Sequence, residues 1–292
     1  MVKTPPWPPA CELNLAARHI YGYCEEARKH GLLPGEESLT DSFVLSLKRR
    51  RFPYVSGFRG RLPAGSDIMV RQFNIAQEAH NGADWDLLID ANRQQVHYRI
   101  QAKRLYRNGR YTRVKDQQHK RLLDTSRSIG AIPLYALYNG PREGVEIQSA
   151  CRLAGVPEAR LGCTLVAAES RAKGKDKGHS WSNDGVGKTA LPLECLVSCH
   201  CMPPQSGLSA AWTRARIELA QKRTMLGEDA DRTPDEWYFS WMGSDDYEPN
   251  PQLNRVIDAW LNGESTGIED LERNLFPNSR YVILITDRAS TA

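Results

Sequence analysis

The chain has 292 residues, 40% hydrophobic and 25% charged, with a formal net charge of +4, the make-up of an ordinary globular protein with enough apolar material for a sizeable core. No run approaches the roughly 18 apolar residues of a membrane helix, and the opening stretch, rich in Pro, has no apolar segment resembling a signal peptide, so a cytoplasmic protein without membrane contact is expected. Seven cysteines, an odd number, read as reduced thiols rather than as a disulfide framework.

In chain order, Leu13 to His30 places Leu13, Ala16, Ala17, Ile20, Cys24 and Ala27 near helical spacing, and Gly31 closes that helix. Glu36 to Arg50 predicts a second helix, with Leu39, Phe43 and Leu47 on one stripe, acids at its start and Lys48 to Arg51 at its end, as the helix dipole favours. A loop rich in Gly, Pro and Arg follows, then a strand of mixed polarity from Ile68 to Ala79. Asp84 to Ile89 and Val96 to Leu105, joined by a polar turn, predict a β-hairpin. Arg113 to Ser126 reads as a helix with Leu122 and Leu123 facing inward, and the apolar run Ala131 to Tyr138 as a buried strand.

Beyond this unit, Gly162 to Ala168 reads as a strand and Ser170 to Lys188 as a loop or linker of Lys, Gly, Ser and Asp. Helices are expected at Ser209 to Met225 and Gln252 to Leu261, an acidic and aromatic segment at Trp237 to Tyr247, and a last strand at Tyr281 to Thr286. The expected organisation is a core in residues 1–168, a linker in 169–189, and an extension in 190–292 that completes the core or packs on it as additional α+β elements. The overall class is α/β, a mixed central sheet flanked by helices.

Charge is unevenly distributed. Arg99 to Arg127 holds ten Lys or Arg against Asp116 and Asp124, whereas Glu228 to Glu272 holds thirteen acids against Arg232 and Arg255. The basic segment suits a polyanion such as nucleic acid; the acidic one reads as a solvated face, or as a surface for a protein partner or a second copy.

The basic segment coincides with a chemical pattern. Side chains alternate along a strand, so Gln101 and Lys103 share one face, and Asp84 on the paired strand can meet them. A carboxylate and an amide oxygen are suitable ligands for Mg²⁺ or Mn²⁺, and an ammonium such as that of Lys103 can offset charge building on a phosphorus centre.

Gly82-Ala-Asp84 and Ile100-Gln-Ala-Lys-Arg104, with an acid in the preceding helix, resemble the PD-(D/E)XK or restriction-endonuclease-like nuclease superfamily, in the Mrr-like variant where Gln replaces the second acid. The similarity runs from about Glu36 to Asn139. The resemblance implies a restriction-endonuclease-like core and a metal-dependent endonuclease acting on DNA, most readily double-stranded. It implies Asp84 as metal ligand, Gln101 as ligand or ligand support, Lys103 as catalytic lysine, and Glu37 as an acid that either supports the ligands or binds a second metal, with Glu78 as its rival. Gln117 or Gln118 would supply the glutamine of the following helix, and Asp86, on the face of Asp84, would supply a further charge. Gly-Ala-Asp-Trp, Gln-Ala-Lys-Arg and Leu-Tyr-Asn together resemble a bacterial group of such proteins suspected of defence against phage. A ribonuclease, or a nucleic-acid-binding protein that keeps the fold without cutting, are the alternatives.

Other signals are weaker. Cys195, Cys199, His200 and Cys201, with Cys163 and His179, offer zinc-type ligands but lack paired Cys-x-x-Cys knuckles, and packing is the expected role of these cysteines. Gly185-Val-Gly-Lys188-Thr189 lacks the first glycine of a phosphate loop, which is Ser182 here, and Leu191-Pro192 interrupts the helix that should follow. Trp237, Tyr238, Trp241 and Tyr247 are expected to pack in a core or an interface.

Overall fold

A computed structural model describes residues 8–49, 67–73, 83–91, 94–144, 146–147, 149, 157–168, 186, 190–197, 250–264, 266–277 and 279–286. The expected helix at Ser209 to Met225, the segment Trp237 to Tyr247, and His179, Cys199, His200 and Cys201 lie outside them. The elements are α1 (Pro8–Lys29), α2 (Glu36–Arg49), β1 (Asp67–Gln72), β2 (Trp85–Ala91), β3 (Gln94–Arg104), α3 (Asp116–Ser128), β4 (Ile132–Tyr138), β5 (Cys163–Ala167), β6 (Leu191–Pro192), α4 (Gln252–Leu261), α5 (Glu269–Leu275) and β7 (Tyr281–Thr286). Single 3₁₀ turns at Glu158–Leu161 and Leu193–Leu196 flank β5 and β6.

The fold is mixed α/β, built on a seven-stranded sheet in the order β1-β7-β2-β3-β4-β5-β6. β2 and β3 form the expected antiparallel hairpin, with Trp85 opposite Ile100 and Asp86 opposite Arg99. α3 then carries the chain over to β4, which runs parallel to β3 with Gln101 beside Tyr135. β7 enters the sheet between β1 and β2, parallel to β2 and antiparallel to β1. Its sequence Tyr-Val-Ile-Leu-Ile-Thr is buried throughout, as a strand covered on both faces requires.

One face of the sheet presents Trp85, Leu87, Ile89, Tyr98, Ile100, Leu134 and Ala136, and α1 and α2 cover it with Leu13, Ala16, Ala17, Ile20, Leu39 and Phe43. Phe43 meets Trp85 at 5.4 Å between ring centroids. The other face divides into two apolar patches. Leu122 of α3 packs with Tyr135, Leu137 and Val166 on one, while α4 and α5 pack Val256, Trp260 and Phe276 on Leu88, Val282 and Leu284 on the other. Between these patches runs the polar side of β3. Among the described residues no helix is long and apolar enough to cross a membrane.

Several elements differ from the sequence expectation in extent. α1 begins at Pro8, where proline suits a first turn because its missing N–H would be unsatisfied anyway. β2 begins at Trp85, one residue after Asp84, and β1 ends at Gln72. α5 was not expected: seven residues are too few to show a helical period. Cys163 and Cys195 are buried thiols, the role packing assigns them.

α1 approaches β5 so closely that Gly162 is required where it stands. A Cβ there would lie 2.0 Å from the Ala17 carbonyl oxygen and 2.8 Å from the Tyr21 nitrogen, both main-chain atoms of α1 that cannot move without the helix. Gly162→Ala is therefore expected to destabilise the protein by roughly 2–4 kcal/mol in chemical denaturation; an unchanged midpoint would mean that α1 does not sit against this turn.

Candidate active site

β3 is a central strand with one apolar and one polar face, and both are buried. Val96, Tyr98, Ile100 and Ala102 point into the α1/α2 core, while Gln95, His97, Arg99, Gln101 and Lys103 point the other way and are at most 6% exposed. Buried polar groups, and buried charges above all, need partners. β2 and its leading residue supply them with three aspartates at alternating positions. Asp90 accepts from Gln95 at 3.2 Å, Asp86 Oδ1 lies 2.8 Å from His97 Nε2 and Asp86 Oδ2 3.4 Å from Arg99 Nη1, and Asp84 accepts from Gln101 Nε2 at 2.6 Å.

The first two rungs of this ladder are closed from the far side. Asp90 also accepts from Thr286, and Gln95 donates to Asn254. Asp86 also accepts from the Ser279 hydroxyl, and Arg99 Nη2 donates to the Pro277 carbonyl. Asp86 thus shares the sheet face of Asp84, but its oxygens are committed to His97, Arg99 and Ser279. Glu78 lies outside the described residues.

The third rung, at the end of the sheet, is different. Asp84 Oδ2 accepts from Gln101 and from the Ala102 amide, both at 2.6 Å, whereas Oδ1 receives no hydrogen bond from the described residues. Gln101 Oε1 accepts from Gln118 Nε2 at 2.8 Å. Lys103 Nζ stands 3.5 Å from Glu36 Oε2 and 3.4 Å from Gln118 Oε1. Both contacts are long, so an ammonium with three protons to give is only loosely committed. Glu36 Oε1 accepts from the Arg104 amide at 3.2 Å.

Two helices begin here, one on each side of the sheet. Glu36 is the first residue of α2, and Gln118 lies in the first turn of α3. Helix starts favour negative charge, which suits an acid at Glu36 and leaves the site receptive to an anion. Four of the expected residues, Asp84, Gln101, Lys103 and Gln118, come together within hydrogen-bonding reach. Gln117 is exposed, so Gln118 is the glutamine in contact.

The acid that touches Lys103 is Glu36, one residue before the expected Glu37. Glu37 is exposed, and it reaches Asp84 only through its charge. The signal for this was present in the stripe Leu39, Phe43, Leu47: extended back by three residues it falls on Glu36, whereas Glu37 is turned about 100° away.

Loss of hydration pushes the Asp84 carboxyl up to about 6; the Ala102 amide and the Lys103 charge pull it down, and Glu36 and Glu37 push it up again. The fold therefore favours the protonated form. Its contribution to stability is full below about pH 4 and is lost as pH rises through about 6. Removing the charge at this position should then stabilise the protein. Asp84→Asn is expected to unfold at higher denaturant than wild type at pH 8, by roughly 1–2 kcal/mol, with the difference vanishing near pH 4. Asp86→Ala should instead cost roughly 3–5 kcal/mol, because it leaves the Arg99 charge buried without an anion. Urea titrations at the two pH values check both, and an Asp84→Asn protein less stable than wild type at pH 8 would contradict this view of the site.

No curated protein and no solved structure matches the chain. Residues 11–290 match the model of a family of unknown function (DUF6615), so the span from α1 to beyond β7 is one family unit and the chain belongs to that family.

Proposed function

We propose that this protein is a metal-dependent nuclease with a restriction-endonuclease-like core, hydrolysing phosphodiester bonds of DNA. The observation that carries the reading is the convergence of Asp84, Gln101, Lys103, Gln118 and Glu36 at one end of the sheet. The order of elements agrees with it: an acid-bearing helix, the hairpin with Asp before one strand and Gln-x-Lys on the next, a Gln-bearing helix, and a strand parallel to the second hairpin strand.

The donor set fits a hard divalent cation. Asp84 and Glu36 are carboxylates, Asp84 Oδ1 receives no hydrogen bond from the described residues, and Gln101, whose Oε1 accepts from Gln118 while its Nε2 donates to Asp84, supports the carboxylate. The raised Asp84 carboxyl, with Glu36 and Glu37 nearby, also marks a place where added positive charge is favoured. Among the described residues there is no group of three or more His, Cys, Asp or Glu suited to a metal, so waters would complete the shell, as Mg²⁺ and Mn²⁺ permit. Asp84 and Glu36 would hold the ion, with Gln101 steadying Asp84; the ion would supply polarisation of a phosphoryl oxygen and a water acidic enough to attack at neutral pH.

The chain's own groups have separate tasks. Lys103, buried and loosely held, is placed to donate to a phosphate oxygen as negative charge builds there; the low surrounding polarity strengthens that interaction. Gln118 bridges Gln101 and Lys103, so the first turn of α3 fixes both side chains. Gln101 in turn fixes the orientation of the Asp84 carboxylate.

The cytoplasmic setting and a role in defence against phage belong to the same proposal, through the resemblance noted in the sequence. A second reading, a nucleic-acid-binding protein that does not cut, draws on the small number of carboxylates at the site.

Incubating wild type, Lys103→Ala and Asp84→Ala with plasmid, linear DNA and RNA in Mg²⁺ or Mn²⁺ separates these. DNA cleavage by wild type, with a loss of roughly 10²–10³-fold or more in either variant, is expected. Cleavage unchanged in both variants, or no cleavage by wild type, would overturn the nuclease reading.

A further inference from the structure

The basic segment that the sequence groups as one stretch is divided by the fold. Arg99 is sealed against Asp86, Lys103 belongs to the candidate active site, and Arg104 Nη1 donates to the carbonyls of Leu33 and Pro34, bracing the α1–α2 turn. The exposed remainder comprises Lys115, Lys120 and Arg127 on and beside α3, and a small hairpin that projects from the end of β3. Leu105 and Tyr111 pair across its base and are buried. Tyr106 N–H donates to the Arg110 carbonyl at 2.7 Å and Gly109 N–H to the Tyr106 carbonyl at 3.1 Å. Gly109, with φ of 75°, makes the reversal that a residue with a side chain would strain to make.

The tip of this finger carries Arg107, Asn108 and Arg110, all exposed, and Arg113 follows at the foot. From Arg104 to Lys115 there is no acid in the sequence. Among the described residues Arg107, Arg110 and Arg113 have no ion pair. Four residues of strand-like chain put the tip within about 13 Å of Lys103, a span of about four base-pair steps.

We infer that this finger is the docking element for a nucleic-acid duplex, gripping its phosphate backbone beside the candidate active site. The inference rests on the nuclease reading and adds to it the surface that holds the substrate. The occupant is a duplex because the finger offers cations and no stacking surface. Tyr111 is buried with its hydroxyl on Asn139, and the Tyr106 ring is covered by the Arg104 guanidinium at 4.6 Å from its centroid. Proteins that hold single strands combine cations with open aromatic faces on which bases stack. Contacts from Arg107 and Arg110 to phosphates position the duplex without reading its sequence.

The test is the salt dependence of binding by the full chain, measured in EDTA by fluorescence anisotropy with duplex DNA, single-stranded DNA and RNA of equal length. Each phosphate contact contributes about 0.9 to the slope of log K against log salt. Wild type is expected to bind duplex more tightly than single strand. Arg107→Ala/Arg110→Ala is expected to bind duplex several-fold more weakly, with a slope shallower by about 1.8. Arg127→Ala/Arg273→Ala removes the same charge from α3's last turn and from α5, and should leave the slope as in wild type. An unchanged slope in the finger variant, an equal change in the control, or preference for single strands would overturn the inference. A wild-type protein that cuts DNA yet shows such a result keeps the nuclease reading and loses the finger; one that neither cuts nor binds loses both.

Discussion

Burial of a polar strand face is the constraint on which the rest of the structure depends. β3 lies in the middle of the sheet, so Gln95, His97, Arg99, Gln101 and Lys103 are all removed from water. Leaving any of these groups without a partner would cost more than a typical surface contact returns. The alternating Asp84, Asp86 and Asp90 follow from this demand, since antiparallel pairing brings β2 and β3 residues of equal facing into contact. The position of β7 follows as well, because it brings Thr286 to Asp90, and the turn leading into it brings Ser279 to Asp86.

The ladder changes character along a single strand. Toward the start of β3 the pairs are also tied to Asn254, Pro277, Ser279 and Thr286, which makes them hold the hairpin and the C-terminal elements together. At its far end the sheet stops, the covering comes from helix starts, and the contacts loosen to 3.4 and 3.5 Å around Lys103. There the carboxyl of Asp84 is held up to about 6 by loss of hydration. Perturbed groups of this kind cluster at sites of function, where a ligand relieves what the fold alone leaves unbalanced.

Much of this was legible in the sequence for identifiable reasons. The hairpin announced itself by two apolar-polar alternating runs around a polar turn, and Gly31 closes α1 in the left-handed conformation its position requires, with φ of 71°. Strand alternation groups Gln101 with Lys103, and the hairpin pairing brings Asp84 to them. Two adjacent acids, Glu36 and Glu37, are told apart only by the stripe they fall on, and it is Glu36 that the helix turns toward Lys103. The sequence also leaves open where the C-terminal strand goes. Nothing local in Tyr-Val-Ile-Leu-Ile-Thr tells that it pairs between β1 and β2, since a run buried on both faces is compatible with any central position. The commitment of Asp86 was hidden too, because Ser279, one of its partners, is 193 residues away.

The most direct test of the assembled site compares Glu36→Gln with Glu37→Gln in single-turnover DNA cleavage with Mg²⁺. The geometry places only Glu36 on Lys103, so Glu36→Gln should lose cleavage by roughly 10²-fold or more while Glu37→Gln stays within a few-fold of wild type. Loss in Glu37→Gln with retention in Glu36→Gln, or retention in both, would contradict the arrangement of Asp84, Gln101, Lys103 and Glu36 as one catalytic centre.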